Sequence, residues 1–220
     1  PGVLRPPPPP AEEIRLKGTR HSKRRDREAI SHHYDVSNDF YRLVLGPTMV
    51  YSCAVWSSPE VGLEAAQTAN LDLVCRKLGL APGMRLLDVG CGWGSMVMHA
   101  AEHYGVAAVG ITLSVEQAEL ARRRVKEARL DHLVEIRVQD YRDVADGPYD
   151  AISSIGMFEH VGRKRLEEYT GNLFALLPPE GRLLNHAIAR PGYPQGEGPI
   201  ARAKALGRRL ATAVGSDLTS

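Results

Sequence analysis

Between residues 90 and 94 glycine alternates with larger side chains, Gly90-Cys91-Gly92-Trp93-Gly94, and Asp88 stands two residues before the first glycine. Glycine accepts positive φ and, having no Cβ, lets a ligand lie against bare backbone. The apolar run before it, opened by Met84 and Arg85 and continued by Leu86 and Leu87, reads as a buried parallel strand. Met96, Val97 and Met98 then begin a helical pattern, and the first N–H groups of a helix have no partner inside it. Strand, glycine turn and helix start together make a place to hold a small polar ligand. The spacing is G-x-G-x-G, not the G-x-G-x-x-G of the dinucleotide fingerprint. Taken alone, the turn also fits a generic strand–turn–helix corner of some other α/β protein.

The turn needs a frame, and the alternation after residue 80 supplies one. Strands are expected at 84–91, 107–113, 134–140, 149–155 and 181–188, and helices at 95–104, 115–128 and 163–176. Such alternation implies βαβ units, so the fold class is α/β with a doubly wound, mostly parallel sheet. Right-handed crossovers put a ligand at the carboxyl ends of the strands, where the glycine turn falls. Upstream, Leu63, Ala66, Leu71, Val74 and Leu78 recur near helical spacing, and Gly79 closes that helix. Ile30, Tyr34, Phe40, Leu43 and Val44 imply one or two short helices, with Asp35 and Ser37 as caps. Four regions result: a Pro-rich and basic tail at 1–28, expected to be disordered; an N-terminal helical segment at 29–80; the core at 81–190; and an irregular, weakly helical tail at 191–220.

Composition narrows the class without naming a partner. The 220 residues are 43% hydrophobic and 25% charged, with a formal net charge of +2, as expected of a globular domain with a real core. No apolar stretch nears the roughly 20 residues of a membrane-crossing helix, and the N-terminus lacks the apolar core of a signal peptide. Cys53, Cys75 and Cys91 form neither a metal spacing nor an even set, so no metal is expected and reduced thiols in a cytosol are the simplest reading. Arg20, Lys23, Arg24, Arg25 and Arg27 form a basic cluster that reads either as attraction to an anionic surface or as a solvated leader.

Seven separate stretches then point one way. They are His32-His33-Tyr34-Asp35-Val36-Ser37, Tyr51-Ser52-Cys53-Ala54, Gly90-Cys91-Gly92-Trp93-Gly94, Gly110-Ile111-Thr112-Leu113-Ser114, Gln139-Asp140-Tyr141-Arg142-Asp143, Gly156-Met157-Phe158-Glu159-His160 and Asn185-His186-Ala187-Ile188, in that order. Over about residues 28–191 the chain resembles the cyclopropane-fatty-acyl-phospholipid synthase family, which includes the mycolic acid cyclopropane synthases. The resemblance implies a Rossmann-like class I methyltransferase that takes S-adenosylmethionine. It implies methyl transfer to the cis double bond of an unsaturated acyl chain, giving a cyclopropane or methyl-branched product. The implied place is the cytoplasm, peripheral to the inner face of the membrane. The implied partners are unsaturated phospholipid acyl chains at a membrane surface, with no nucleic acid, and a homodimer is compatible with it.

The resemblance also carries residues over. Tyr51 and Ser52 are expected to touch S-adenosylmethionine from the segment before the core. Asp88 faces the methionine amino group through the local network, and Gly90, Gly92, Trp93 and Gly94 belong to the cradle. Thr112, Leu113 and Gln117 hold the ribose side, and Asp140 and Tyr141 flank the adenine. The base of the family is a bound bicarbonate, whose cradle here is Cys53, Glu159, His186 and the backbone around Ile188. Tyr34 and Trp93 match the aromatics near the reacting carbons, where a π-face can stabilise positive charge. Read singly, Cys53 is a small buried residue, His186 a core histidine and Glu159 a cap of the helix near Arg163. The family continues beyond the strand at 181–188 with a further hairpin and helices, whereas residues 191–220 show neither, so a C-terminally truncated or divergent member is expected. The alternatives are a small-molecule methyltransferase on the same fold and an inactive truncated protein that binds the cofactor.

Overall fold

The computed structural model describes residues 22, 23, 25, 26, 28, 29 and 37–188. Tyr34, Asp35 and the expected tail at 191–220 lie outside the described residues. The chain divides into two units, 1–187 and 188–220, and only Ile188 of the second is described.

The first unit is built around five parallel strands: β1 (Arg85–Val89), β2 (Ala107–Thr112), β3 (Val134–Val138), β4 (Ala151–Ile155) and β5 (Arg182–His186). Their order is β3-β2-β1-β4-β5. From β1 the chain winds outward to β2 and β3, then returns to β4 on the other side. The junction between β1 and β4 is therefore the topological switch point, where doubly wound sheets take their ligands. All five strands are shorter than expected: β1, β2, β3 and β5 stop pairing before the expected end, whereas β4 ends at Ile155 as expected and starts two residues late.

The helices are α1 (Asn38–Leu45), α2 (Leu63–Leu78), α3 (Ser95–Tyr104), α4 (Val115–Glu127), α5 (Phe158–Val161) and α6 (Leu166–Ala175). Ser37 caps α1 by accepting from the Phe40 N–H, and Ser114 caps α4 by accepting from the Gln117 N–H. Gly79 ends α2 in the left-handed conformation. One face of the sheet, with Leu86, Ala108 and Ala151, packs on Leu71, Val74 and Leu78 of α2, Val97 and Ala100 of α3, and Ala118 and Ala121 of α4. The other, with Leu87, Val89, Ile111 and Ile152, packs on Tyr141, Tyr149, and Tyr169 and Leu173 of α6. Each fully buried leucine contributes about 1.5–3 kcal/mol.

Several expectations need correction. Leu63 is 44% exposed and belongs to no core, because it opens α2 before the helix reaches the sheet. The helix expected at 163–176 begins as a 3-10 turn at Arg163–Arg165 and becomes α6 only at Leu166. Glu159 does not cap it, since Glu159 lies inside the separate helix α5. The described residues among 23–29 are helical and attached: Lys23 pairs with Asp143, and Asp26 meets Arg142 at 3.0 Å.

Candidate functional site

Tight backbone geometry at the end of β1 creates the cradle. Gly90 and Gly92 take φ of 82° and 53°, conformations that strain any residue with a Cβ. A Cβ at Gly92 would meet nothing within 4 Å, so the space over this residue is open. One at Gly90 would come within 3.4 Å of the Met157 side chain, which follows β4. The open backbone thus lies beside the β1–β4 junction. Asp88 sits just below, 4% exposed, with Oδ1 accepting from Ser153 Oγ at 2.7 Å. Burial pushes its carboxyl up to about 6, and the Ser153 bond opposes that rise.

Trp93 is an anchor. It is 2% exposed, its Nε1 donates to Asn38 Oδ1 at 2.7 Å, and its ring lies 4.6 Å from Tyr41. With Leu45, Met49 and Leu120 it ties α1 to the core. Arg124 of α4 finishes the joint: it donates to Trp93 O at 2.6 Å, Thr48 O at 3.0 Å and Ser95 Oγ at 3.1 Å. Buried Gln67 of α2 donates to Leu45 O and Val50 O at 3.1 and 3.2 Å. These bonds fix the segment that leads to Tyr51, Ser52 and Cys53. Tyr51 is 55% exposed with its ring edge-on to Tyr41, Ser52 is half-buried and Cys53 is exposed.

Along the end of β2, Thr112 Oγ1 donates to Gln117 Oε1 at 2.8 Å and accepts from the Ser114 N–H at 3.2 Å. Thr112, Leu113 and Gln117 are thereby brought together, all buried. Asp140 and Tyr141 are engaged within the fold. Both Asp140 oxygens accept from Arg142, at 2.6–2.9 Å; burial pushes the carboxyl up, and the Arg142 bonds and charge, with Lys23, outweigh it and hold it below its usual range. Tyr141 packs edge-on to Tyr169 at 4.8 Å. Any adenine contact would be additional to these bonds.

Glu159 and His186 follow the carboxyl ends of adjacent strands. His186 ends β5 opposite Ile155, and its carbonyl accepts from the Gly156 N–H at 2.9 Å. Glu159 lies three residues beyond Gly156, and both side chains are exposed. Ile188 is exposed in the second unit. Sequence reasoning missed Arg124, Gln67, Asn38 and Ser153. Arg124 carried no signal, because an arginine on a charged helix reads as a solvated face. Ser153 and Ser154 did carry one: two adjacent serines stand inside a strand that should be apolar on both faces.

A cradle of open glycine backbone, a buried acid beneath it and a 3-2-1-4-5 parallel sheet together define the Rossmann-like methyltransferase class. The family model for mycolic acid cyclopropane synthetase matches residues 21–197. The chain belongs to the mycolic acid cyclopropane synthetase family. It is 51% identical over 188 residues to the "Probable fatty acid methyltransferase Rv3720" of Mycobacterium tuberculosis, covering 83% of this chain and 44% of that protein. It is 44% identical over 181 residues to the cyclopropane-fatty-acyl-phospholipid synthase of Escherichia coli K12, covering 80% and 46%. The chain thus spans about half the length of these relatives. The crystal structure of mycolic acid cyclopropane synthase CmaA1 complexed with SAH and CTAB superposes with a TM-score of 0.72 at 39% identity, over 81% of this chain and 64% of that one.

Proposed function

We propose that this protein transfers a methyl group from S-adenosylmethionine to the cis double bond of an unsaturated fatty acyl chain of a phospholipid, and that a cyclopropane or methyl-branched chain results. The observation that supports this is the shared edge: the glycine cradle after β1, Glu159 after β4 and His186 at the end of β5 stand at the carboxyl ends of neighbouring strands. The cradle fits the cofactor chemically, since Gly92 leaves open backbone and Asp88 offers a buried anion for an ammonium group.

In this reading S-adenosylmethionine supplies an electrophilic methyl group. Gly90 and Gly92 admit its methionine part, Thr112, Leu113 and Gln117 hold the ribose side, Asp140 and Tyr141 lie by the adenine, and Tyr51 and Ser52 close over it. Methylation of an alkene leaves positive charge on the acyl chain, and a proton must leave the new methyl before a ring can close. A bound bicarbonate supplies that base in the proposed site. Cys53, Glu159 and His186 would hold it, with the carboxylate sharing or relaying the proton. Trp93 serves the charge in the same proposal, as does Tyr34 by the family resemblance alone, although Trp93 already bonds Asn38 and packs on Tyr41.

Substrate lipids place the protein at a membrane surface, and no helix among the described residues is long and apolar enough to cross a membrane. Lipid mass spectrometry of cells with and without the protein tests the assignment. A gain of one methylene on unsaturated phospholipid acyl chains is expected, with most of it lost for Glu159→Gln. Unaltered lipids alongside methylation of a small molecule would favour the other methyltransferase reading.

A further inference from the structure

β4 carries an anomaly that the family resemblance does not absorb. A central strand of a parallel sheet is covered on both faces and normally reads as an apolar run. Here Ser153 and Ser154 stand in its carboxyl-terminal half, both 0% exposed. A buried hydroxyl costs stability unless it is hydrogen-bonded, and both are. Ser154 meets Tyr169 OH at 2.6 Å and Asn185 Oδ1 at 3.2 Å. Ser153 lies directly opposite Asp88 in the β1–β4 register and donates to it at 2.7 Å. Among the described residues it is the one donor on the Asp88 carboxylate.

We propose that Ser153 is a positioning residue for the cofactor: acting through Asp88, it keeps a buried carboxylate charged and aimed at the ammonium group of S-adenosylmethionine. This rests on the cofactor reading above. The geometry supports it at three points. The bond spans the two strands of the switch point, so it is fixed by the backbone ladder of the central pair. Asp88 lies directly below the open glycine backbone. The charge environment leaves the task to Ser153. The titratable groups facing Asp88 are the Cys75 thiol of α2, the Cys91 thiol of the turn and the Tyr169 hydroxyl of α6, and burial drives all three above their ordinary values. They stay protonated near neutrality and give Asp88 no cation to pair with. With no cation there, the Ser153 bond is what offsets the burial that lifts the Asp88 carboxyl towards 6.

The test is the pH profile of S-adenosylmethionine affinity by calorimetry, from pH 5 to 7.5, for wild type, Ser153→Ala, Ser153→Thr and Asp88→Asn. Wild type should lose affinity on an acid limb with its midpoint near 6. Ser153→Ala removes a single oxygen, so folding is preserved, and its midpoint should rise by about one pH unit, weakening binding about threefold at pH 6.5, close to tenfold towards pH 5 and little at pH 7.5. Ser153→Thr keeps the hydroxyl and should restore the wild-type midpoint. Asp88→Asn should bind weakly at every pH, and adding Ser153→Ala to it should change nothing more. Equal weakening by Ser153→Ala at all pH values, or an unmoved midpoint, would overturn the inference. Absence of binding by wild type would instead defeat the cofactor reading on which it stands.

Discussion

At the scale of single residues the cradle depends on what is absent. Gly92 has left-handed φ and open space where a side chain would be. Gly92→Val therefore adds backbone strain of about 1–2 kcal/mol and a branched side chain where the proposed ligand lies. We expect the purified variant to fold and to bind S-adenosylmethionine at least roughly a hundredfold more weakly than wild type, read by calorimetry. Equal affinity would remove the turn from the cofactor site. The signal for this residue was fully present in the sequence, because a glycine turn after a buried run has few other uses. The signal for Ser153 was present but unread, since its meaning needs the residue across the ladder. Arg124 and Gln67 were not legible at all: they act on carbonyl groups, and a sequence does not show which carbonyls lack partners.

Elements tell a similar story. The boundaries of α2 and α3 could be read from periodicity and from the glycines that end them, because capping and burial act locally there. The carboxyl ends of β1, β2, β3 and β5 could not, because they depend on where the neighbouring strand stops. Nor could α5, whose four residues carry too little pattern to separate it from the next helix. The joint between α1, the glycine turn and α4 is the element-scale feature with most at stake. Arg124 places one guanidinium on Trp93 O, Thr48 O and Ser95 Oγ. Arg124→Met keeps the length of the side chain and removes one donor from each of these acceptors, with Ser95 Oγ still donating to Thr48 O, at a cost of about 2–3 kcal/mol. Hydrogen exchange should accelerate across Asn38–Leu45 and the turn at 90–94, while amides of β1 and β2 stay protected. Uniform acceleration through the sheet would show that Arg124 supports the whole core and not this joint.

For the molecule as a whole, two buried titratable groups pull stability in opposite directions with pH. His99 of α3 is buried, its Nε2 has no hydrogen-bond partner among the described residues, and its ring lies 4.4 Å from His103. Burial first, and then His103, lower its pKa from 6.5, against the weaker opposite pull of Asp72 and Glu102. The unfolded chain therefore takes up a proton at His99 before the folded chain does, and stability falls as pH drops below about 6.5. Asp88 works the other way. Its folded value of about 6 lies above the ordinary carboxylate value of 3.8, so its contribution is complete below 3.8 and lost as pH rises through 6. Urea melts from pH 7.5 to 5 should show His99→Met gaining on wild type steadily as pH falls. A constant difference between the two would mean that His99 does not titrate in this interval.

The place of β1 at the middle of the sheet has a consequence for the order of assembly. β1 meets β2 through a short crossover, but it meets β4 only after about sixty residues, and Ser153 is 65 residues from Asp88. Loop closure favours the nearer pairing, so β1, α3 and β2 should gather first, with nascent chain still emerging behind them. During that interval the carboxylate under the glycine turn has water where its serine will be. The half of the sheet that carries the cradle is thus shaped early, and the strand that tunes it is the one that arrives late and seals it.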